Sequence, residues 1–304
     1  MGTPDFAVPS LELLITRGYR IIGVVTQPDR PKGRGRSFTP PPVKVIAEKN
    51  GLQVFQPERV RNEEFLAGFR NLSPDMIALV AFGQILPREI IESPALGCLN
   101  VHPSLLPKYR GAAPMNWTLI RGETRTGVTI MRMDEGVDSG DILLQEEVGI
   151  EPEDTFGSLH DRLAVKGADM LAAAIDMSVG GTIIRTPQDH AAATYAPRLK
   201  KEDTMVNWDT DAHDIVNLIR GLSPFPCAST MLDGKQLKIF AASVDESDVG
   251  GAGAGTIGRI REHGLPVAAK NGWVCLTDIQ MESKKRMNIR DFLRGYNIKT
   301  GKMG

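Results

Sequence analysis

Asn100 and His102 stand two residues apart at the end of the apolar run LGCLNVH, and Asp138 follows in the Gly-rich turn VDSGD. On a strand, residues i and i+2 project to the same face, so the amide and the imidazole share one side of a sheet edge. A helix would separate them by about 200°. Pro103 and Pro107, just beyond, exclude a helix starting there and favour a strand followed by a loop. The three residue types are those that acyl transfer to an amine requires: a proton acceptor, a carboxylate to orient it, and a neutral donor for a developing oxyanion. The amine must be neutral to attack, and an imidazole beside a carboxylate is poised to take the proton released. An isolated Asn-x-His at a strand end is more often a structural hydrogen-bonding pair. Joined to Asp138 and its turn, the catalytic reading becomes the stronger one.

These residues need a scaffold, and the chain reads as an alternation of strands and helices. MGTPDFAVPSLELLITRG is a turn followed by a helix with Val8, Leu11, Leu14 and Ile15 at helical spacing, ended by Gly18. No strand precedes that turn, so a sheet with a gap at its first strand is expected. YRIIGVVTQ reads as a buried strand, PVKVIAEKNG as a helix, QVF as a short strand and NEEFLAGFRNL as a helix. DMIALVAFGQILP is an apolar strand that stops at Gly83, where a ligand crevice at the carboxyl ends of parallel strands would lie. LGCLNVH, TGVTIMRMDEG and DILLQEEVGI are further strands, AAPMNWTLIRGE is a helix, and a long helix from Thr155 to Val179 packs Leu159, Leu163, Ala164 and Leu171 onto the sheet. The pattern predicts an α/β, doubly wound, mostly parallel sheet with its first strand missing.

After Gly181 the composition changes. Residues 182–206 are polar and contain Pro187 and Pro197, as a linker would. DAHDIVNLIRGLSPFPCA then gives one capped helix, and from Ser229 short strands follow at close intervals, as in a small β-barrel. A basic helix, Asn288 to Arg294, closes the chain. The expected domains are 1–181, a linker over 182–206, and 207–304.

Composition bounds the function. The 304 residues suffice for two domains, and a net charge of −1 demands no nucleic-acid partner. Locally the charge is uneven: residues 26–44 hold five Lys/Arg against one acid, and residues 251–304 hold ten against four. The first region is a loop of Pro, Gly and Arg that could meet phosphates. Three dispersed cysteines without C-x-x-C spacing imply a reducing cytosol and no metal site. Without an apolar run of about 18 residues no membrane span is expected. Without a helix-opening GxGxxG after a strand, neither is dinucleotide binding.

GTPDFAVPSL, TQPDRPKGRGR, NVHPSLLPKYRGAAP, GVTIMRMDEGVDSGDIL and GLSPFPCA resemble segments of the methionyl-tRNA formyltransferase family. The central motif alone marks the wider class of 10-formyltetrahydrofolate-dependent formyltransferases; the Arg-rich loop and the GLSPFP-plus-barrel half narrow it to the tRNA-modifying branch. The resemblance implies a Rossmann-like first domain and an OB-like β-barrel that binds tRNA. It also implies 10-formyltetrahydrofolate as co-substrate and initiator methionyl-tRNA as acceptor, with reaction through a tetrahedral intermediate for translation initiation. Asn100, His102 and Asp138 match the family's catalytic residues. Phe82, Gly83, Gln84, Ile85, Leu86, Ser104, Leu105, Leu106, Pro107 and Asp141 fall where the folate is held. Arg34 and Arg36 lie in the loop that resembles the one entering the tRNA acceptor stem. Phosphate neutralisation is expected from Arg30, Lys32, Arg34 and Arg36 and from the C-terminal Lys284, Lys285 and Arg286. A cytoplasmic monomer is expected. Two departures stand out: the family's first strand is absent, and the barrel carries the insert DESDVGGAGAG. Two other readings remain open: a formyltransferase acting on a small amine such as an amino sugar nucleotide, and a non-catalytic nucleic-acid-binding module.

Overall fold

A run of β-branched residues becomes a strand only where neighbouring backbone can complete its hydrogen bonds, and the N-terminal part of the chain shows this directly. A computed structural model describes residues 1–32 and 37–304. These fall into two units. The first comprises Met1–Gly111, Thr126–Gly149 and His160–Tyr195; the second comprises Ala112–Arg125, Ile150–Leu159 and Ala196–Gly304.

In the first unit, β1 (Val24–Val25) is much shorter than the predicted Tyr19–Gln27. β2 (Arg30–Lys32) and β3 (Ser37–Thr39) form an antiparallel hairpin where only a loop is predicted. β4 (Val54–Phe55) pairs parallel with β1. β5 (Ile77–Leu79) pairs parallel with β6 (Cys98–His102), and β6 pairs antiparallel with β7 (Arg125–Arg132), which neighbours β8 (Ile142–Gly149). The sheet is therefore parallel over its first strands and turns antiparallel at β7.

Met1 and Gly2 lie between β1 and β5: Gly2 N donates to Val25 O (3.0 Å) and Val80 N donates to Met1 O (2.9 Å). Beside them lies a cavity of about 420 Å³ lined by residues including Ile21, Ile22, Ile77, Leu171 and Ile175. Among the described residues the pairing of β1 extends only over Val24 and Val25, opposite Val54 and Phe55.

Around the sheet run α1 (Val8–Thr16), α2 (Pro42–Lys49), α3 (Glu63–Leu72) and α4 (Arg88–Glu92). Val25, Leu66, Phe69, Ile77, Leu79, Phe82, Ile90 and Cys98 share one core. Helices α5 (Pro114–Ile120) and α6 (Phe156–Val179) follow. α6 buries Leu163, Ala164, Ala168 and Leu171, and approaches β6 so closely that a Cβ on Gly167 would stand 2.7 Å from a Val101 methyl. Burial pushes the Cys98 thiol up to about 12, so it is an apolar core residue rather than a nucleophile.

The second unit is built on a curled antiparallel sheet in the order β11 (Leu265–Ala268), β12 (Trp273–Met281), β10 (Lys235–Asp245), β9 (Ala228–Leu232), with β13 (Met287–Asn288) on β12. A register shift at Ile239–Ala242 of β10 bends the strand. α7 (Ala212–Leu222) contributes Ile215, Ile219 and Leu222 to the core, and α8 (Ile289–Gly295) contributes Ile289 and Phe292. The segment 182–206, predicted as a linker, is shared: it belongs to the first unit as far as Tyr195 and to the second from Ala196. No described helix is long and apolar enough to cross a membrane.

Asp233 anchors the C-terminal segment by accepting from Tyr296 OH (2.9 Å) and from the Lys299 and Thr300 amides (3.1 and 2.8 Å). Desolvation raises its carboxyl, but these hydrogen bonds outweigh that and hold it at about 2. Hydrogen bonds from Ser247 and then Arg261 hold Asp245 at about 2 as well. Both folded values lie below the ordinary 3.8, so this stability is fully present above about pH 4 and is lost as pH falls toward 2. Asp233→Asn should flatten the acid limb of a Tm-against-pH curve recorded by Trp fluorescence; a limb identical to wild type would show that the anchor contributes nothing.

Candidate active site

β6 is buried along its whole length, so any polar side chain on it must be used or partnered. Asn100 sits opposite Met131 and His102 opposite Thr129 across the β6–β7 pairing, both on one face as their spacing requires. Asn100 is 8% exposed, yet among the described residues its side-chain amide has no hydrogen-bond partner. It is also not among the fully enclosed, unsatisfied polar atoms. The amide is thus nearly buried yet not sealed from its surroundings.

His102 is held at one nitrogen and faced by a carboxylate at the other. Nε2 lies 3.0 Å from the carbonyl oxygen of Tyr109, which can only accept, so Nε2 carries the hydrogen. Nδ1 then presents its lone pair 3.6 Å from Asp138 Oδ2. The carboxylate thus faces the imidazole without a direct hydrogen bond, and its own firm partner is the Gly111 amide, which donates to Oδ2 at 2.8 Å. Asp138 lies beside His102 and Asn100 shares the His102 face of β6, but the group that orients the ring is a backbone carbonyl with no side-chain signature. A proton taken up at Nδ1 would be shared with the carboxylate beside it.

The loop 103–111 is built around Thr129. Its hydroxyl donates to Ser104 O (2.7 Å) and accepts from Leu106 N (3.2 Å) and Gln145 Nε2 (2.9 Å). Ser104 Oγ donates to Lys108 O at 2.7 Å, closing the turn. Tyr109 and Asp138 both have left-handed φ, 61° and 48°. Non-glycine residues in that region cost roughly 1–3 kcal/mol each and persist only where surroundings hold them. Here they flank the imidazole.

The predicted folate residues divide by what they can offer. Phe82, Leu86 and Leu106 are buried, so their side chains serve the interior. Phe82 O accepts from Thr3 Oγ1 (2.8 Å) and Gln27 Nε2 (3.3 Å). Gln84 is engaged with Val60 N (2.9 Å) and Pro57 O (3.2 Å). Ile85 is 77% exposed, as is Val137 at 63%, and these are the apolar side chains a flat ring could cover. Gly83 turns the chain at φ 86°. Ser104 is buried, Leu105 is half-buried, Pro107 O accepts from Thr194 N (3.2 Å), and Asp141 O accepts from Arg132 N (2.9 Å).

Of the predicted RNA contacts, Arg34 and Arg36 lie outside the described residues, as does the side chain of Lys32. Arg30 is exposed on β2. The hairpin is rooted by Asp29, which accepts from Lys44 Nζ (2.9 Å) and Gln56 Nε2 (2.7 Å). In the second unit Lys284 and Lys285 are exposed in the turn between β12 and β13. Arg286 is instead paired with Asp278 (Nε to Oδ2 2.8 Å) over the Phe240 ring. Among the described residues no cluster of His, Cys, Asp and Glu could hold a metal ion.

Comparisons with known proteins follow this geometry. Residues 1–175 match the formyl transferase family model and residues 198–297 match the formyl transferase C-terminal domain. The chain is 56% identical over 301 residues to a methionyl-tRNA formyltransferase of Syntrophus aciditrophicus, covering 99% of this chain and 96% of that protein. It is 49% identical over 302 residues to one of Geotalea uraniireducens, covering 99% and 95%. Among solved structures, a sugar 3N-formyl transferase crystallised with dTDP and 5-N-formyl-THF is similar at TM-score 0.67, with 19% identity over 93% of this chain and 97% of that one. A methionyl-tRNA formyltransferase from Clostridium thermocellum is similar at TM-score 0.53, with 18% identity over 78% and 91%. The likenesses to solved structures speak for the fold alone.

Gly140 sets the Asp138 turn: a Cβ there would stand 1.9 Å from the Arg132 carbonyl oxygen. Gly140→Ala should cost about 1–3 kcal/mol, the range for overpacking, and lower activity with it. Gly149→Ala, where a Cβ meets nothing within 4 Å, is the control. Equal melting temperatures for the two variants would dismiss the constraint.

Proposed function

We propose a mechanism from one premise: the chain belongs to the methionyl-tRNA formyltransferase family. It transfers the formyl group of 10-formyltetrahydrofolate to the α-amino group of initiator methionyl-tRNA. The folate supplies an activated one-carbon unit at the acyl oxidation level, so no metal or redox step is needed.

The observation that carries the assignment of roles is the near-buried Asn100 amide two residues before a His102 whose Nε2 is held by a carbonyl and whose Nδ1 faces Asp138. Asn100 donates to the oxyanion that develops on the formyl oxygen, a contact worth about 3–4 kcal/mol by comparison with other oxyanion donors. The attacking amine must lose a proton, and Nδ1 of His102 takes it. Asp138 faces that nitrogen and stabilises the imidazolium that results; as the tetrahedral intermediate collapses, the bond between the formyl carbon and the folate nitrogen breaks and the imidazolium returns the proton to that nitrogen, releasing tetrahydrofolate and the formylated aminoacyl-tRNA. The Tyr109 carbonyl keeps Nε2 protonated throughout, so the ring accepts at one nitrogen only. Ile85 and Val137 cover the folate ring, while Gly83 and the backbone of 104–107 and 140–141 supply its polar contacts.

Residues 1–181 are proposed as the catalytic domain, 182–206 as the segment leading out of it, and 207–304 as an OB-like tRNA-binding domain. Arg30, Lys32, Arg34, Arg36, Lys284 and Lys285 neutralise phosphates, and Arg286 presents a charge already shared with Asp278. The protein works as a cytoplasmic monomer. The sugar nucleotide alternative is disfavoured because the full-length identity of about half the residues is to proteins acting on methionyl-tRNA, whereas the likeness to a sugar formyltransferase stands at 19%.

Formylation of charged initiator tRNA tests the reaction. Asn100→Ala and His102→Ala should each lose at least about 100-fold in kcat with tRNA binding little changed; near-wild-type turnover in either would rule out its role. Arg34→Ala with Arg36→Ala should weaken tRNA binding and flatten its salt dependence by roughly one unit of slope per lost contact. Folate affinity should hold, and an equal drop there would mean that the loop serves the donor instead.

A further inference from the structure

Asp138 is useful only if its carboxylate stays beside His102, and the turn that carries it has left-handed backbone at the residue itself. What holds that turn comes from a distant segment. Thr186 pairs antiparallel with Ile142 (N to O 2.9 and 2.8 Å), so two residues further on Gln188 comes opposite Gly140. The Gln188 amide nitrogen donates to the carbonyls of Asp138 (2.9 Å) and Gly140 (2.7 Å). Its oxygen accepts a fork from Arg110 Nε (3.1 Å) and Nη2 (2.6 Å). Both side chains are more than nine-tenths buried, at 6% and 4% exposure.

Every hydrogen-bonding site on the Gln188 amide is thus used, and its orientation is unambiguous: a guanidinium only donates and a carbonyl only accepts. Arg110 also donates to His190 Nδ1 (3.1 Å), and among the described residues it has no carboxylate partner. The same segment holds the other side of the imidazole. Thr194 accepts at its carbonyl from Arg110 N (2.9 Å) and at its hydroxyl from Tyr109 N (2.9 Å), fixing the residue whose carbonyl receives Nε2.

We propose that Gln188 is a positioning residue for the formyl transfer: through its two N–H groups it fixes the Asp138 turn relative to the Tyr109–Arg110 loop, so that carboxylate and imidazole stay at working distance. The inference rests on the mechanism proposed above. Arg110 serves as the brace between loop and amide, which explains a buried cation paired with neutral groups. A carboxylate at its side would compete with Asp138 for the donors that shape the site.

Gln188→Glu and Gln188→Met separate this from a packing role. Glu keeps the size and gives Arg110 a counter-charge, but has no hydrogens for the two carbonyls at neutral pH; Met keeps the volume and loses every bond. Positioning predicts that both variants fold, that kcat falls about 10- to 100-fold in each, as small misplacements of reacting groups cost, and that KM for methionyl-tRNA stays within about threefold of wild type. Gln188→Glu with wild-type kcat would overturn the proposal, since the brace to Arg110 alone would then suffice. Failure of both variants to fold, by circular dichroism, would also overturn it by making the residue structural. Wild-type protein is assayed alongside: no formyl transfer there removes the underlying mechanism and this inference together, whereas an active wild type with indifferent variants removes the inference alone.

Discussion

An imidazole in a buried strand must find use for two nitrogens of opposite character, and His102 does so with a carbonyl on one side and a carboxylate on the other. The carbonyl decides which nitrogen keeps its hydrogen; the other nitrogen is thereby left as an acceptor pointing at Asp138. Had both partners been carboxylates, the ring would be held as a cation and could take no proton. Had both been donors, it could neither hold nor pass one. The 103–111 loop, the Asp138 turn and the pairing of Thr186 with Ile142 can each be understood as bringing one of these two oxygens to its place.

The sheet contributes by being immobile at the right point. β6 is covered on both faces, with Gly167 letting α6 approach Val101 and β7 pairing along its edge. In so tight a setting a polar side chain without a partner is expensive. Asn100 is tolerated because its amide, though nearly buried, is not sealed off, and under the proposed mechanism that exception would make it available to an oxyanion. The reactive groups therefore sit on regular structure, and the strained residues, Tyr109 and Asp138, sit on the loops that trim their environment.

Much of this could be read from residue types alone. The strand-and-helix alternation, the pairing of Asn100 with His102 on one face, the long α6 and the antiparallel second unit all follow from periodicity and from Pro and Gly placement. The missing portions have identifiable causes. β1 is shorter than its apolar run suggests, because among the described residues only Val24 and Val25 are paired, with Val54 and Phe55. The β2–β3 hairpin is invisible to alternation because Arg30, Pro31, Lys32, Ser37, Phe38 and Thr39 include a single large apolar residue and no apolar/polar repeat. Tyr109's part lies in its carbonyl, an atom every residue has. Gln188 falls in a polar stretch that looks like a linker, and only the register Thr186–Ile142 brings it to the site.

The same distinction between composition and placement governs the basic regions. Counted along the chain, residues 251–304 look like a strong polyanion surface. Three of those cations are already neutralised in place: Arg261 by Asp245, Arg286 by Asp278 and Arg294 by Asp291. Two of them also lie over aromatic rings, Arg261 on Trp273 and Arg286 on Phe240, which makes them part of the unit's packing. A cation with a resident carboxylate has fewer counterions to release, so it adds less to a salt-dependent attraction than its formal charge suggests. Lys284 and Lys285, which have no ion-pair partner among the described residues, stand in the exposed turn between β12 and β13. Charge placed there would add more to such an attraction than the internally balanced arginines do, because it still carries its own counterions to release.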